Sequence, residues 1–179
     1  MAATATRLIL RPVPLEAAAF APYGEVIDRH DARPARAIND GSAVRIDGLG
    51  RVDAALEGAH VGISLVRAAS RVLPFRLQCV ERHQLGTQAF VPLRTSRWLV
   101  VVAAAGQAPG ASDLRAFVAT REQGVNYARG TWHHPLLAID KAAEFMVIDR
   151  IIDDGSDDDC EVLDLTAAEI WVQALKSRT

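Results

Sequence analysis

Residues 75–90 read FRLQCVERHQLGTQAF. In an extended strand Phe75, Leu77, Cys79, Glu81 and His83 share one face, and Arg76, Gln78, Val80 and Arg82 share the other. The first row is apolar until it ends in a carboxylate and an imidazole. Such a pair at the end of a core-facing row is costly to bury unless it is paired, hydrogen-bonded or bound to something. The alternative is that the strand leaves the core at Glu81 and both groups reach water.

Runs of the same character recur on both sides: GEVID, SAVRI, HVGISLVRA, TQAFVPL, RWLVVVAAA, LRAFVA and EFMVIDRI. Turn-forming groups such as NDGS, GLG, SRVLP, QAPGAS, REQG and DDGSDD separate them. This spacing predicts an all-β chain folded as an antiparallel sandwich or barrel. PLEAAAFAPYG predicts a short flanking helix stopped by Pro22 and Gly24. The tail LTAAEIWVQALK predicts a C-terminal helix, with Thr166 as N-cap, Glu169 in capping-box position and Ile170, Val172 and Leu175 as its apolar side. No repeat, linker or shift of composition marks a boundary, so residues 1–179 are expected to form a single domain.

Composition narrows the function classes. The chain carries 20 Lys and Arg against 22 Asp and Glu, a formal charge of −2, scattered along its length. No basic stripe is available for phosphates or an anionic bilayer, so neither nucleic acid nor membrane is an expected partner. The opening MAATATRLILRPVP lacks the uninterrupted apolar core of a signal peptide, which predicts a cytoplasmic location. Cys79 and Cys160 have no metal-type spacing and read as free thiols. Asp153, Asp154, Asp157, Asp158 and Asp159 do not match a calcium loop and read as a solvated turn. Gly48-Leu49-Gly50 lacks the third glycine of a dinucleotide site, and Ser64, Ser70 and Ser96 lack the elbow context of a serine hydrolase. His30 and His60 read as surface residues, and Trp98 as core or interface.

A second stretch, GVNYARGTWHHPL (124–136), is too broken by Gly124, Gly130 and Pro135 for a helix. Alternation puts Thr131 and His133 on one face and Trp132 and His134 on the other, so one histidine of the pair faces inward. The turn Ala128-Arg129-Gly130, followed two residues later by His133, resembles the second metal-binding motif of cupins, with Ala128 in the proline's place. That favours His133 as the inward residue. Glu81-x-His83 and Gln88 resemble the first cupin motif, with Glu81 replacing a histidine and Gln88 the glutamate.

The segments ERHQLGTQAFVPL (81–93), LRAF (114–117), EQGVNYARGTWHHPLLAID (122–140) and FMVIDR (145–150) resemble the hallmark stretches of the ureidoglycolate lyase family. FAPYGEVID and IND extend the similarity over nearly the full chain. The resemblance implies a cupin-like antiparallel β-barrel, that is, a double-stranded β-helix. It implies a carbon–nitrogen lyase of the amidine-lyase class that breaks ureidoglycolate into glyoxylate and urea in purine and allantoin catabolism. It further implies a homodimer and, as the associated ion, nickel. Two departures stand out. Ala128 occupies a position where the family often has histidine (N-Y-H-R), and Arg45-Ile46-Asp47-Gly48 replaces a common aromatic-His-Asp run.

The chemistry indicates which groups to look for. Ureidoglycolate is a carbinolamide with a carboxylate, so loss of urea needs a base for the hydroxyl proton and an acid for the departing nitrogen. His83 and His133 are the expected catalytic pair, with Glu81 orienting a histidine or acting as base. An arginine is expected on the substrate carboxylate. Arg45, Arg97 and Arg129 are candidates, Arg45 being favoured because it follows Asn39 in a family-like segment, whereas alternation turns Arg82 away. Asn126 and Tyr127 are candidates for the ureido group, or else turn residues serving local backbone. Glu81, His83, Gln88 and His133 together offer two nitrogens and two oxygens, a set suited to nickel, manganese or zinc. The same four also suit a metal-free hydrogen-bonding site, and His134 stays outside either set. A non-catalytic cupin binding a ureide or hydroxy acid, and a hydrolase releasing ammonia, are the competing functions.

Overall fold

The computed structural model describes residues 7–54, 58–153 and 159–173. The chain runs β1 (Leu8–Leu10), β2 (Val13–Pro14), α1 (Ala17–Phe20), β3 (Gly24–Asp28), β4 (Ala35–Ile38), β5 (Ala43–Ile46), β6 (His60–Ala68), β7 (Phe75–Arg76) and β8 (Cys79–His83). It continues through β9 (Gln88–Arg94), β10 (Arg97–Ala103), β11 (Arg115–Thr120), β12 (Gln123–Tyr127), β13 (Trp132–His133), β14 (Leu137–Ile139), β15 (Ala143–Ile151), β16 (Cys160–Asp164) and β17 (Ile170–Val172). The all-β expectation holds, and α1 is the short flanking helix expected before Pro22.

Two sheets face each other and a third backs one of them. A five-stranded sheet has the order β3-β12-β9-β15-β6, and β16, β8, β13, β10, β11 and β2 run through a seven-stranded one that β14 joins beside β10. Between them lies a core of Phe20, Val26, Phe90, Trp98, Val100, Val102, Phe117, Val125, Tyr127, Phe145 and Val147. The three-stranded sheet β1-β17-β7 covers the other side of the seven-stranded one. There Leu10, Leu77, Val80, Leu99, Val101, Leu114, Trp132, Ile170 and Val172 form a second core. Most ladders are antiparallel as expected, but β1–β17 and β2–β11 run parallel.

The apolar run of β10 follows from this layering. Trp98, Val100 and Val102 point into one core, and Leu99, Val101 and Ala103 into the other. A strand buried on both faces reads as a continuous hydrophobic run instead of an alternating one. Trp98 Nε1 donates to the Gln123 carbonyl at 3.0 Å, so the buried indole loses no hydrogen bond.

The expected C-terminal helix is not formed over the described residues. Ile170–Val172 is strand β17, parallel to β1 and antiparallel to β7. Ile170 and Val172, β-branched and two residues apart, both enter the second core, and that period-two burial outweighs the helical spacing. The supposed caps serve other ends: Thr166 N donates to Asp164 Oδ1 at 2.7 Å, and Glu169 Oε2 accepts from Trp171 Nε1 at 3.1 Å. Leu175, like residues 154–158, lies outside the described residues.

FRLQCVERH is likewise two strands. At the break, Leu77 N donates to the Ile170 carbonyl and Gln78 O accepts from Leu165 N. The interruption sends Leu77 into the second core beside Val80, so the row of Glu81 and His83 does not continue back to it. Asp159 also departs from the solvated turn expected for the acidic run. It is buried, and its Oδ1 accepts from the backbone N–H groups of Gln84 and Leu85, both at 2.7 Å.

Truncating β10 tests the two-sided burial. Leu99→Ala is expected to cost about 2–5 kcal/mol of unfolding free energy. Val44→Ala, on a side chain 70% exposed, should stay within about 0.5 kcal/mol. Urea denaturation midpoints at constant slope compare the two, and equal shifts would contradict the assignment.

Candidate functional site

The polar ends of three strands meet between the facing sheets. In β8, Val80 belongs to the second core and Arg82 lies over the Trp132 ring, 4.4 Å from its centroid. Glu81 and His83 therefore face the five-stranded sheet. Glu81 stands directly opposite His133 of β13 in the ladder, with His133 Nδ1 3.8 Å from Glu81 Oε1. The His83 and His133 rings are 5.6 Å apart between centroids. Ligand-capable atoms of Glu81, His83 and His133 all lie within 4.8 Å of one another, a triad able to hold a metal ion.

Local backbone explains why His133 and not His134 enters. Gly130, at φ 71°, makes the turn that starts β13, and its N–H donates to the His83 carbonyl at 2.6 Å. Beyond it the side chains alternate. Thr131 Oγ1 donates to the Tyr23 carbonyl, Trp132 enters the second core and His133 the site. His134 turns back toward Phe75, its ring edge-on to the phenyl, with Nδ1 2.7 Å from the Pro135 carbonyl.

Tyr127 of β12 closes the site from the opposite sheet. Its ring is parallel to that of His133, with an interplanar angle of 4° and centroids 4.2 Å apart. Phe20 and Phe90 pack around the phenol at 6.2 and 5.8 Å. Burial, and secondly the negative charge of Glu81, raise the Tyr127 pKa and keep the phenol protonated. Burial above all, then the charge of His83, push the His133 pKa down to about 3, so this imidazole is neutral at physiological pH.

Several buried polar atoms here have no hydrogen-bond partner: both ring nitrogens of His133, Nε2 of His83 and Oε1 of Gln88. Buried polar atoms are rarely left so, and those of His83 and His133 lie together with Glu81, where a ligand or ion could complete the bonding. Gln88 stands opposite Tyr127 in the β9–β12 ladder. Its Nε2 donates to Asp149 Oδ2 at 3.1 Å. Asp149 was not anticipated from the sequence, although FMVIDR carries the signal: Phe145, Val147 and Asp149 alternate onto one face, as the apolar row leading to Glu81 was expected to do.

The remaining candidates are dispersed. Asn126 is buried on the outer side of β12, where its Nδ2 donates to Glu25 Oε2 at 2.7 Å and to the Arg51 carbonyl at 2.9 Å. Asn39 and Arg45 belong to the separate β4–β5 hairpin; both are exposed, and Arg45 Nε lies 2.5 Å from Asp47 Oδ1. Arg97 is held bidentately by Asp140 at 2.8 and 3.0 Å. Arg129, two residues after Tyr127, pairs with Asp53 at 2.6 Å, and its buried Nε has no hydrogen-bond partner. Asp53 is itself tied to the end of the β8–β9 turn by reciprocal bonds with Thr87. Cys79 and Cys160 are in no disulfide, and His30 and His60 are exposed.

A family model described as ureidoglycolate lyase matches residues 7–173. A protein of Burkholderia mallei named ureidoglycolate lyase is 48% identical over 137 residues, covering 76% of this chain and 79% of the relative. Ureidoglycolate lyase 1 of Rhizobium meliloti is 49% identical over 138 residues, with 76% and 79% covered. One from Pseudomonas syringae pathovar tomato is 45% identical over 148 residues, with 83% and 85% covered.

The neutral state of His133 sets a pH dependence. Its folded pKa of about 3 lies below the ordinary imidazole value of 6.5, so between these the unfolded chain binds more protons. Stability is fully present above about pH 6.5 and falls as pH drops toward 3, by at most about 1.4 kcal/mol per pH unit for this group. The lowered pKa of half-buried His134 acts in the same direction. Urea midpoints of chelator-treated protein should decline over that window and decline less in His133→Asn. An identical slope in the variant would show that His133 is not the neutral buried group.

Proposed function

The chain belongs to the ureidoglycolate lyase family, and on that premise we propose that it cleaves ureidoglycolate to glyoxylate and urea. The observation that carries the reading is the meeting of Glu81, His83 and His133 between two sheets, against the ring of Tyr127. Glu81, the acidic member of the triad, accepts the carbinol hydroxyl proton as the C–O bond becomes a carbonyl, while neutral, buried His133, opposite it in the ladder, holds that hydroxyl in place. The C–N electron pair leaves with the ureido nitrogen, which takes a proton from His83.

Arg129 holds the substrate carboxylate in this reading. Arg129 also pairs with a carboxylate, that of Asp53, but through Nη2, leaving its buried Nε without a partner, whereas in Arg97 and Arg45 Nε itself is engaged, by Asp140 and Asp47. Asn126 supports the loop around Arg51 in place of the ureido group, both of its donor bonds being used there. Tyr127 forms the apolar wall behind His133.

A divalent ion fits the same donors, since the orphaned nitrogens of His83 and His133 lie together with Glu81, and Gln88, with its own orphaned oxygen, stands opposite the Tyr127 that stacks on His133. Glu81, His83, Gln88 and His133 would hold it, with nickel as the family resemblance implies. Such an ion supplies Lewis-acid polarisation of the hydroxyl or carboxylate.

We read residues 1–179 as one cytoplasmic, cupin-like domain in which the five- and seven-stranded sheets form the double-stranded β-helix. Their shared core, and two cysteines that are in no disulfide, support this. A homodimer accompanies it. On the edge strand β6, Val61, Ile63 and Leu65 are 43%, 71% and 52% exposed, an apolar stripe beside unpaired backbone.

Purified protein should yield urea and glyoxylate in equal amounts above the spontaneous rate. Ammonia in place of urea would indicate the hydrolase, and binding without turnover a non-catalytic protein. His133→Asn and His83→Asn should each lower kcat by about 10²-fold or more. Chelation followed by nickel addition separates the two modes: loss and recovery of activity places an ion in the reaction, and unchanged activity favours proton transfer by the side chains alone.

The dimer has its own test. Ile63→Lys on β6 should shift the sedimentation mass from dimer toward monomer. A monomeric wild-type protein, or a variant of unchanged mass, would remove this face from consideration.

A further inference from the structure

We propose that Asp149 is a positioning residue that fixes the Gln88 side-chain amide with its carbonyl oxygen turned into the site, so that Gln88 can only accept. The argument is one of chemical complementarity. Gln88 Nε2 lies 3.1 Å from Asp149 Oδ2. A carboxylate has oxygens and no hydrogen to give, so the glutamine must offer it the NH2 end. An amide or hydroxyl at position 149 would accept either end and leave the amide free to turn over.

The other end of the amide then has a defined direction. Oε1 of Gln88 is buried and without a hydrogen-bond partner. Gln88 stands beside Phe90 on the inward face of β9, opposite Tyr127, which lies against His133. The ladder itself brings the pair together: Val147 faces Phe90 and Ile148 faces Ala89, so the next step along both strands sets Asp149 against Gln88. The oxygen thus belongs to the end of the amide turned away from Asp149, on the inward face whose neighbour Tyr127 stacks on His133.

A fixed acceptor at that point selects its ligand. It welcomes an electron-poor group, either an N–H of the substrate or a divalent cation, and it opposes a ligand oxygen placed there. What the acceptor meets rests on the function proposed above; its orientation does not.

The test uses Asp149→Asn, whose side-chain amide can donate to Gln88 Oε1 and turn the Gln88 NH2 inward. In a variant shown by circular dichroism to be folded, the metal-free protein's dissociation constant for nickel or the KM for ureidoglycolate should rise about tenfold or more. A rise in the nickel constant identifies a cation, and a rise in KM alone identifies an N–H. Adding Gln88→Glu to Asp149→Asn should restore the loss, because a carboxylate presents oxygen whichever way it turns. The single change Gln88→Glu, which sets two carboxylates side by side, should not be tolerated as well. A purely structural role for Asp149 predicts no such rescue.

Nuclear magnetic resonance of the wild-type protein gives a readout independent of activity and of variant folding. The Gln88 side-chain NH2 protons should exchange with solvent more slowly than those of an exposed glutamine. Exchange at the exposed rate, or a folded Asp149→Asn with both constants unchanged, would overturn the proposal. Absence of turnover by the wild-type protein would instead overturn the proposed reaction and leave the amide measurement standing.

Discussion

The constraint that organises this molecule is the cost of holding an imidazole away from water with neither nitrogen hydrogen-bonded. His133 is 1% exposed and both of its ring nitrogens lack partners. A buried polar group in that condition costs roughly 1–3 kcal/mol by mutational measures. The surroundings offset this by keeping the ring uncharged and packed. Tyr127 covers one face of it, and burial suppresses its proton affinity. Because Tyr127 comes from one sheet and His133 from the other, the contact also joins the two sheets at the point where the chemistry sits.

The surrounding loops are organised by polar groups of a different kind, ones that tie neighbouring segments of backbone together. Asn126 reaches Glu25 and the Arg51 carbonyl, and Glu25 Oε2 in turn accepts from Arg51 N. Asp53 exchanges hydrogen bonds with Thr87 and pairs with Arg129. Asp159 receives two N–H groups from the turn after His83.

Much of this was legible from residue order, and the reasons are physical. Period-two alternation placed Glu81 with His83 and separated His133 from His134, since a strand leaves a side chain no other option. It failed where the strand was interrupted. The backbone bonds of Leu77 and Gln78 to the β16–β17 region are non-local, and nothing within FRLQCVERH announces them. The tail misled for a related reason. IWV satisfies both a helical and an extended pattern, and its choice depends on β1 and β7, far away in the chain. Choosing among arginines required knowing which carboxylate each one meets. Asp47, Asp140 and Asp53 are partners that spacing alone does not assign.

The strand at the centre of the sheets, β10, carries alternate side chains into two separate hydrophobic layers. Neither layer can loosen without disturbing the backbone that anchors the other. Damage to the outer three-stranded sheet is therefore transmitted through a shared beam to the layer that holds Glu81, His83 and His133. The layers should melt as one cooperative unit, so the candidate site has no independent foldon and inherits whatever marginal stability the whole chain possesses.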